Sequence, residues 1–197
     1  MAAVTAPLPA VPLSDDLLLD RCIAGDRPAL EELFRRYRQP AYRVAHRLLG
    51  NEADALDAVQ DGFVKVLTNL NGFQKRSSFK TWLLRVVSNA ALDLGRQRGR
   101  RETIAPTGGD AVNGESQPLV WDEPTLGLER NDLRRLLDAA LATLPEPQRQ
   151  TFVLHVDAEL SYREVADALG ISIGTVMSRL YYARQKLRTY LEPHLQT

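Results

Sequence analysis

Apolar side chains along this chain recur every three or four residues, never every second one, so the pattern predicts helices throughout and no strand. The clearest stretch is Leu160–Leu191. Ser161 followed three residues later by Glu164 is a capping-box signature. Val165, Ala166 and Leu169 then share a face, and Gly170 sits where a helix end needs positive φ. Ser172 can cap a second helix, with Ile173, Val176, Leu180, Ala183 and Leu187 on its buried side. Gly174, Ser178, Tyr181, Tyr182 and Gln185 then turn outward, with Thr175 and Met177 flanking. This is the helix-turn-helix layout, whose second helix enters the DNA major groove.

The rest of the pattern predicts six further helices. Ser14 caps a first helix with Leu17, Leu18, Cys22 and Ile23 on its apolar side. Asp26 caps a second that carries Leu30, Leu33, Phe34 and Tyr37, is bent or broken at Pro40, and continues to Gly50. Asn51 caps a third, with Ala55, Val59, Phe63, Val66 and Leu70 inward. A fourth runs from about Ser78 to Arg98 on Phe79, Trp82, Leu83, Val86, Ala90 and Leu94, which places Trp82 in a core. Leu133, Leu136, Leu137 and Leu141 mark a fifth. A sixth opens at Pro147 with Phe152, Val153 and Val156, and Pro193 closes the last helix of the chain.

At 197 residues, two small all-α domains are the natural division. The boundaries read as 1–13, a proline-broken disordered tail; 14–101, a first helical domain; 102–129, a flexible linker rich in Gly and Pro; and 130–197, a second helical domain. Charge sharpens this division. The whole chain has a formal net charge of zero, which taken alone argues against a nucleic-acid binder. Residues 30–101, however, carry fourteen basic and seven acidic side chains, while 102–129 carry six acidic ones and no Lys or Arg. A basic block followed by an acidic tether is the asymmetry that zero conceals.

Candidate enzymatic chemistry is thin. A single cysteine excludes an internal disulfide, and the three histidines are far apart without cysteine company, so no metal site, cofactor or catalytic residue is expected. No catalytic triad spacing and no phosphate-binding glycine loop is present. No run of 18 apolar residues and no basic leader is found, so a cytoplasmic protein without membrane insertion is expected.

Three segments carry the family resemblance: DAVQDGFVKV (Asp57–Val66), SSFKTWLLRVVSNAALD (Ser77–Asp93) and the stretch from Leu144 to Leu187. Together, in this order and across this linker, they resemble the extracytoplasmic-function group of bacterial RNA polymerase sigma factors. The resemblance covers roughly residues 14–101 and 130–191. It implies two helical domains, region 2 and region 4, without the larger middle domain of housekeeping sigma factors. It also implies docking on core RNA polymerase (the β′ clamp helices and the β flap), promoter recognition at the minus-ten and minus-thirty-five elements, and DNA melting for a stress or envelope-response regulon.

Position by position, the resemblance assigns Asp57, Gln60 and Asp61 to the polymerase. It assigns Lys75, Arg76, Ser77, Ser78, Lys80, Arg85 and Asn89 to the melted minus-ten element, with the loop capturing a flipped base and Asn89 at the upstream edge of the bubble. Arg96 and Arg98 suit phosphates, which confer salt-sensitive affinity without sequence information. Arg163, Thr175, Met177, Ser178, Arg179, Tyr182 and Arg184 fall to the minus-thirty-five duplex. Met177 and Tyr182 stand where many relatives carry basic residues, so a bidentate guanine contact is not available there and apolar or shape readout has to substitute. The acidic linker, with Val120, Trp121, Asp122 and Glu123, matches the segment that threads toward the polymerase active centre in this group. Only Pro193 to Thr197 follow the last helix, so a separate anti-sigma partner is the expected regulator. A simple helix-turn-helix repressor or activator also explains residues 130–191, but it leaves the basic block and the acidic linker without a purpose. A purely structural helical adaptor is disfavoured by the cationic loop and the helix-turn-helix.

Overall fold

The computed structural model of the chain describes residues 13–104 and 128–195; side chains at 101–104, 128–132 and 195 lie outside the description. Among the described residues the chain is helical without a strand: α1 Asp15–Ile23, α2 Arg27–Leu49, α3 Glu52–Thr68, α4 Phe79–Ile104, α5 Leu128–Ala142, α6 Glu146–Val156, α7 Tyr162–Leu169 and α8 Ile173–Leu195. The tail and most of the acidic linker, including Val120, Trp121, Asp122 and Glu123, fall outside the described residues.

The helix starts follow local chemistry. Ser14, Asp26 and Asn51 each accept a hydrogen bond from a backbone N–H of the first turn of α1, α2 and α3. Gly50 ends α2 at φ 76°, a conformation that costs glycine nothing. A short 3-10 turn, Leu70–Gly72, follows α3.

Helices α1–α4 form the first unit, with α4 packed along α2 and α3. Its core holds Leu33, Val44, Val59, Val66, Leu83 and Val87 at full or near-full burial. Where α3 crosses α4, Gly62 lets the backbones meet: a Cβ placed there would lie 2.5 Å from Val87 Cγ2 and 3.2 Å from Val87 Cα. Helices α5–α8 form the second unit. One buried cluster runs from Leu18 and Val44 through Leu84 to Val153, Val165, Val176 and Leu180, so the two units share a continuous core. A smaller cluster, Ala140, Leu141, Leu144, Ala183 and Leu187, ties α5 to α8.

Several expectations are corrected. Helix α2 runs unbroken through Pro40, and α8 runs through Pro193 to Leu195, because packing along a helix compensates for one missing N–H. Helix α4 extends to Ile104 and α5 begins at Leu128, so both ends of the expected linker are helical. Leu17, Ile23, Phe34, Leu133, Val156 and Ile173 are exposed. In α1 the buried pair is Leu18 and Leu19, a small rotation from the expected face, and Cys22 is only half-buried. Trp82 is part-buried rather than deep; it stacks on Phe73 with ring centroids 4.7 Å apart.

Gly62→Ala is expected to destabilise the fold by about 1–3 kcal/mol, the usual cost of overpacking. Thermal unfolding by circular dichroism checks this, and a melting temperature equal to that of the unsubstituted chain would contradict the close α3–α4 approach.

Candidate polymerase and promoter interfaces

Three exposed surfaces hold the predicted site residues. The first is the outward face of α3. Asp57, Gln60 and Asp61 are all exposed, and among the described residues neither carboxylate takes an ion pair. Val64 and Leu67 continue the same face at helical spacing, 53% and 38% exposed. The sequence reading missed these two, although the 57–60/61–64–67/68 spacing displays them. The surface is therefore mixed, anionic at one end and apolar at the other.

The second surface is the loop after α3 and the start of α4. Phe73, stacked on Trp82 and edge-on to Phe79, anchors the loop from inside. Lys75 adopts φ 51° and donates to Asp20 of α1 at 2.9 Å, which pins the loop tip and raises the lysine pKa. Arg76 is exposed, Ser77 half-buried. Ser78 caps α4: its hydroxyl accepts from the Thr81 N–H at 3.1 Å and pairs with the Thr81 hydroxyl at 2.8 Å. Its first role is thus to start the helix. Lys80 is half-buried, and Arg85 and Asn89 lie outward on α4.

Further along α4 the expected phosphate contacts are engaged within the chain. Arg96 pairs with Asp93 at 3.2 Å and with Glu146 of α6, and Arg98 pairs with Asp54 at 2.7 Å. Asn89 Oδ1 accepts from Gln150 Nε2 at 3.2 Å. Arg76 and Arg85 therefore remain the most open cations of this surface, whereas Asn89, Arg96 and Arg98 are brought against other protein groups.

The third surface is the helix-turn-helix. The capping box is complete: the Ser161 hydroxyl accepts from the Glu164 N–H, and Glu164 Oε2 accepts from the Ser161 N–H at 2.9 Å and its hydroxyl at 2.7 Å. The Ser161 hydroxyl and N–H hold the Glu164 carboxyl below the usual range. Gly170 turns the chain at φ 65°, and Ser172 accepts from the Thr175 N–H at 3.0 Å to start α8. Val176, Leu180 and Ala183 bury one side of α8 completely. Met177, Ser178, Tyr182 and Arg184 are exposed, as is Arg163 on α7; Thr175 and Arg179 are half-buried. Tyr181, which the site assignment left out, is 57% exposed and accepts from Gln185 Nε2 at 2.7 Å. Met177, Tyr181 and Arg184 help line a groove of about 760 Å³ beside Tyr162. An exposed helix carrying apolar and aromatic groups between basic ones suits thymine methyls and phosphates together.

The comparisons agree with this division. The family model for Sigma-70 region 2 matches residues 33–101, and that for Sigma-70, region 4 matches residues 134–187. Those two regions define a sigma-type transcription-initiation protein rather than an enzyme. The ECF RNA polymerase sigma factor SigE of Mycolicibacterium smegmatis is 37% identical over 170 residues, covering 85% of this chain and 63% of its own length, so this chain spans under two thirds of that relative. The ECF RNA polymerase sigma-E factor of Escherichia coli is 30% identical over 184 residues, covering 92% of this chain and 96% of the relative. Among solved structures, CnrH in complex with the cytosolic domain of CnrY superposes with a TM-score of 0.69 at 26% identity, covering 91% of this chain and 97% of that one. The sigma factor RpoE in complex with the anti-sigma factor NepR from Bartonella quintana gives 0.64 at 25% identity, covering 83% and 96%. The chain belongs to the extracytoplasmic-function family of RNA polymerase sigma factors. No helix among the described residues is long and apolar enough to cross a membrane.

Glu164→Ala removes half of the capping box and is expected to cost about 1 kcal/mol. Because its carboxyl is held below the ordinary value, Glu164 stabilises the fold above the unfolded carboxylate pKa and loses that effect as pH falls through the folded one. Urea unfolding at neutral pH and at pH 3 should therefore show the substitution costing less in acid. An equal cost at both would remove the ionised cap as the cause.

Proposed function

We propose that this chain directs core RNA polymerase to a set of promoters in the cytoplasm by three divided tasks. The α3 face, through Asp57, Gln60 and Asp61, docks on the basic β′ clamp helices, and Val64 and Leu67 add an apolar contact. The second unit rests on the β flap. The loop and α4, through Lys75, Arg76, Ser77, Ser78, Lys80, Arg85 and Asn89, hold the separated minus-ten strand, with Arg96 and Arg98 on phosphates. Helix α8, through Thr175, Met177, Ser178, Arg179, Tyr182 and Arg184 and with Arg163 on the flank, reads the minus-thirty-five duplex. The observation that carries the polymerase-dependent reading over a stand-alone repressor is the α3 face: a stand-alone DNA binder has no use for two exposed carboxylates left without a cation beside exposed valine and leucine. Solved relatives held by CnrY and NepR support an anti-sigma protein as the regulator here.

Run-off transcription from a promoter library with bacterial core polymerase tests the whole reading: new, discrete start sites are expected only when the chain is added. The double substitution Gln60→Ala with Asp61→Ala should weaken core binding at least tenfold in a fluorescence titration while helicity is unchanged. Unaltered affinity would remove α3 from the docking surface. Arg76→Ala should lower the salt dependence of single-strand binding by about 0.7 in log–log slope, the share of one phosphate contact.

A further inference from the structure

The end of α2, the start of α3, the later turns of α4 and the start of α6 border a cavity of about 590 Å³, a size usual for a small-molecule site. Its floor is apolar, built from Leu48 and Leu49 of α2 and Ala91 and Leu92 of α4. Gly95 and Gly99, one helical turn apart on α4, leave one wall bare. A Cβ at Gly95 would touch Leu49 Cδ2 at 3.4 Å, whereas one at Gly99 would meet nothing within 4 Å. The space beside Gly99 is open.

The rest of the lining is charged, and unevenly so: three arginines face two carboxylates. Arg98 pairs with Asp54 at 2.7 Å, and Arg96 pairs with Glu146 and, at 3.2 Å, with Asp93. Arg149 of α6 is the third. Among the described residues it takes no carboxylate, and its Nε is buried without a hydrogen-bond partner. Buried donors in folded chains are nearly always satisfied. The Arg149 head group therefore carries a burial cost that nothing within the chain offsets, and an anion in the cavity it lines would offset it. A guanidinium offers such an anion parallel N–H donors, a geometry that fits phosphate and carboxylate oxygens. Arg149 has no part in the polymerase or promoter contacts described above.

We propose that this cavity is a binding site for a nucleoside monophosphate, with the phosphate on Arg149 and Arg96, the sugar hydroxyls on Asp54 or Glu146, and the base over the apolar floor. Each part of the lining then has a use. The unpaired arginine selects an anion. The carboxylates repel a second anionic group but accept from hydroxyls, which is how acidic side chains hold a ribose in nucleotide sites. The aliphatic floor and the bare glycine wall leave room for a flat ring. A bare inorganic anion would use the arginines alone and leave the floor uncovered. The site shares Arg96 with the initiation reading, but Arg149, Asp54 and the floor lie outside that reading, so the proposal stands without it.

Isothermal titration calorimetry of the full chain tests this, with adenosine monophosphate, guanosine monophosphate, adenosine and inorganic phosphate as the probes. One equivalent of at least one of the two nucleotides should bind, with adenosine and inorganic phosphate each at least tenfold weaker, because each keeps only part of the contacts. Arg149→Met removes the cation at similar volume and should weaken the nucleotide at least tenfold. Arg149→Lys keeps the charge without the paired donors and should fall between. Gly99→Leu fills the open wall and should abolish binding, while the unliganded chain melts no lower than before, because glycine is a poor residue inside a helix. Circular dichroism checks that each variant is folded; should Arg149→Met not fold, Gly99→Leu carries the test. No binding of either nucleotide at millimolar concentration, adenosine or inorganic phosphate binding as tightly as the nucleotide, or affinity within twofold of the unsubstituted chain in either folded variant overturns the site. None of these results bears on run-off transcription, by which the initiation reading stands or falls.

Discussion

Everything in this molecule leans on α4 being covered from two directions. Its Leu83, Leu84, Val87, Ala91 and Leu92 are all at least 94% buried, and so are the polar Thr81 and Ser88. A helix buried on one side needs a single apolar stripe; one pressed between two units needs a second set of contacts. Here that second set is partly polar: Thr81, Ser88, Asn89 and Arg96 meet Glu164, Gln150 and Glu146. Burying hydroxyls is tolerable only with partners, and Glu164 and Gln150 supply them.

A fully apolar second face would weld the two units together. A fully charged one would leave them apart. The two units meet through a shared apolar core edged by hydrogen bonds and ion pairs. Glu146 on Arg96 is one such ion pair, at the exposed edge of the contact.

The exposed side chains differ between the two units. Helix α3 presents carboxylates and aliphatic groups outward, and α8 presents Met177, Tyr181 and Tyr182 among basic residues. Lys75 belongs to neither surface outright. Its contact with Asp20 fixes the loop that Arg76 extends, so its positive charge is spent partly on shaping the site.

Local chemistry in the sequence by itself determined the helices, their caps and the family. Ser161 with Glu164, Gly170 and Ser172 act over three or four residues, and such short-range hydrogen bonds do not depend on what packs nearby. The inward faces of α3 and α8 were nearly as plain, since each is buried on one side only, although Ile173, expected inward at the start of α8, is exposed. Tertiary structure alone decided the rest. Whether Leu17, Leu133 or Val156 is covered depends on which helix lies over it, and Pro40 sits mid-helix because packing on both flanks outweighs one lost hydrogen bond. Above all, the pairing of Asn89 with Gln150, and of Arg47 with Asp138 and Asp157, joins residues 61, 91 and 110 positions apart. No periodicity announces such a meeting, because it is created only when two separately amphipathic units close on one another.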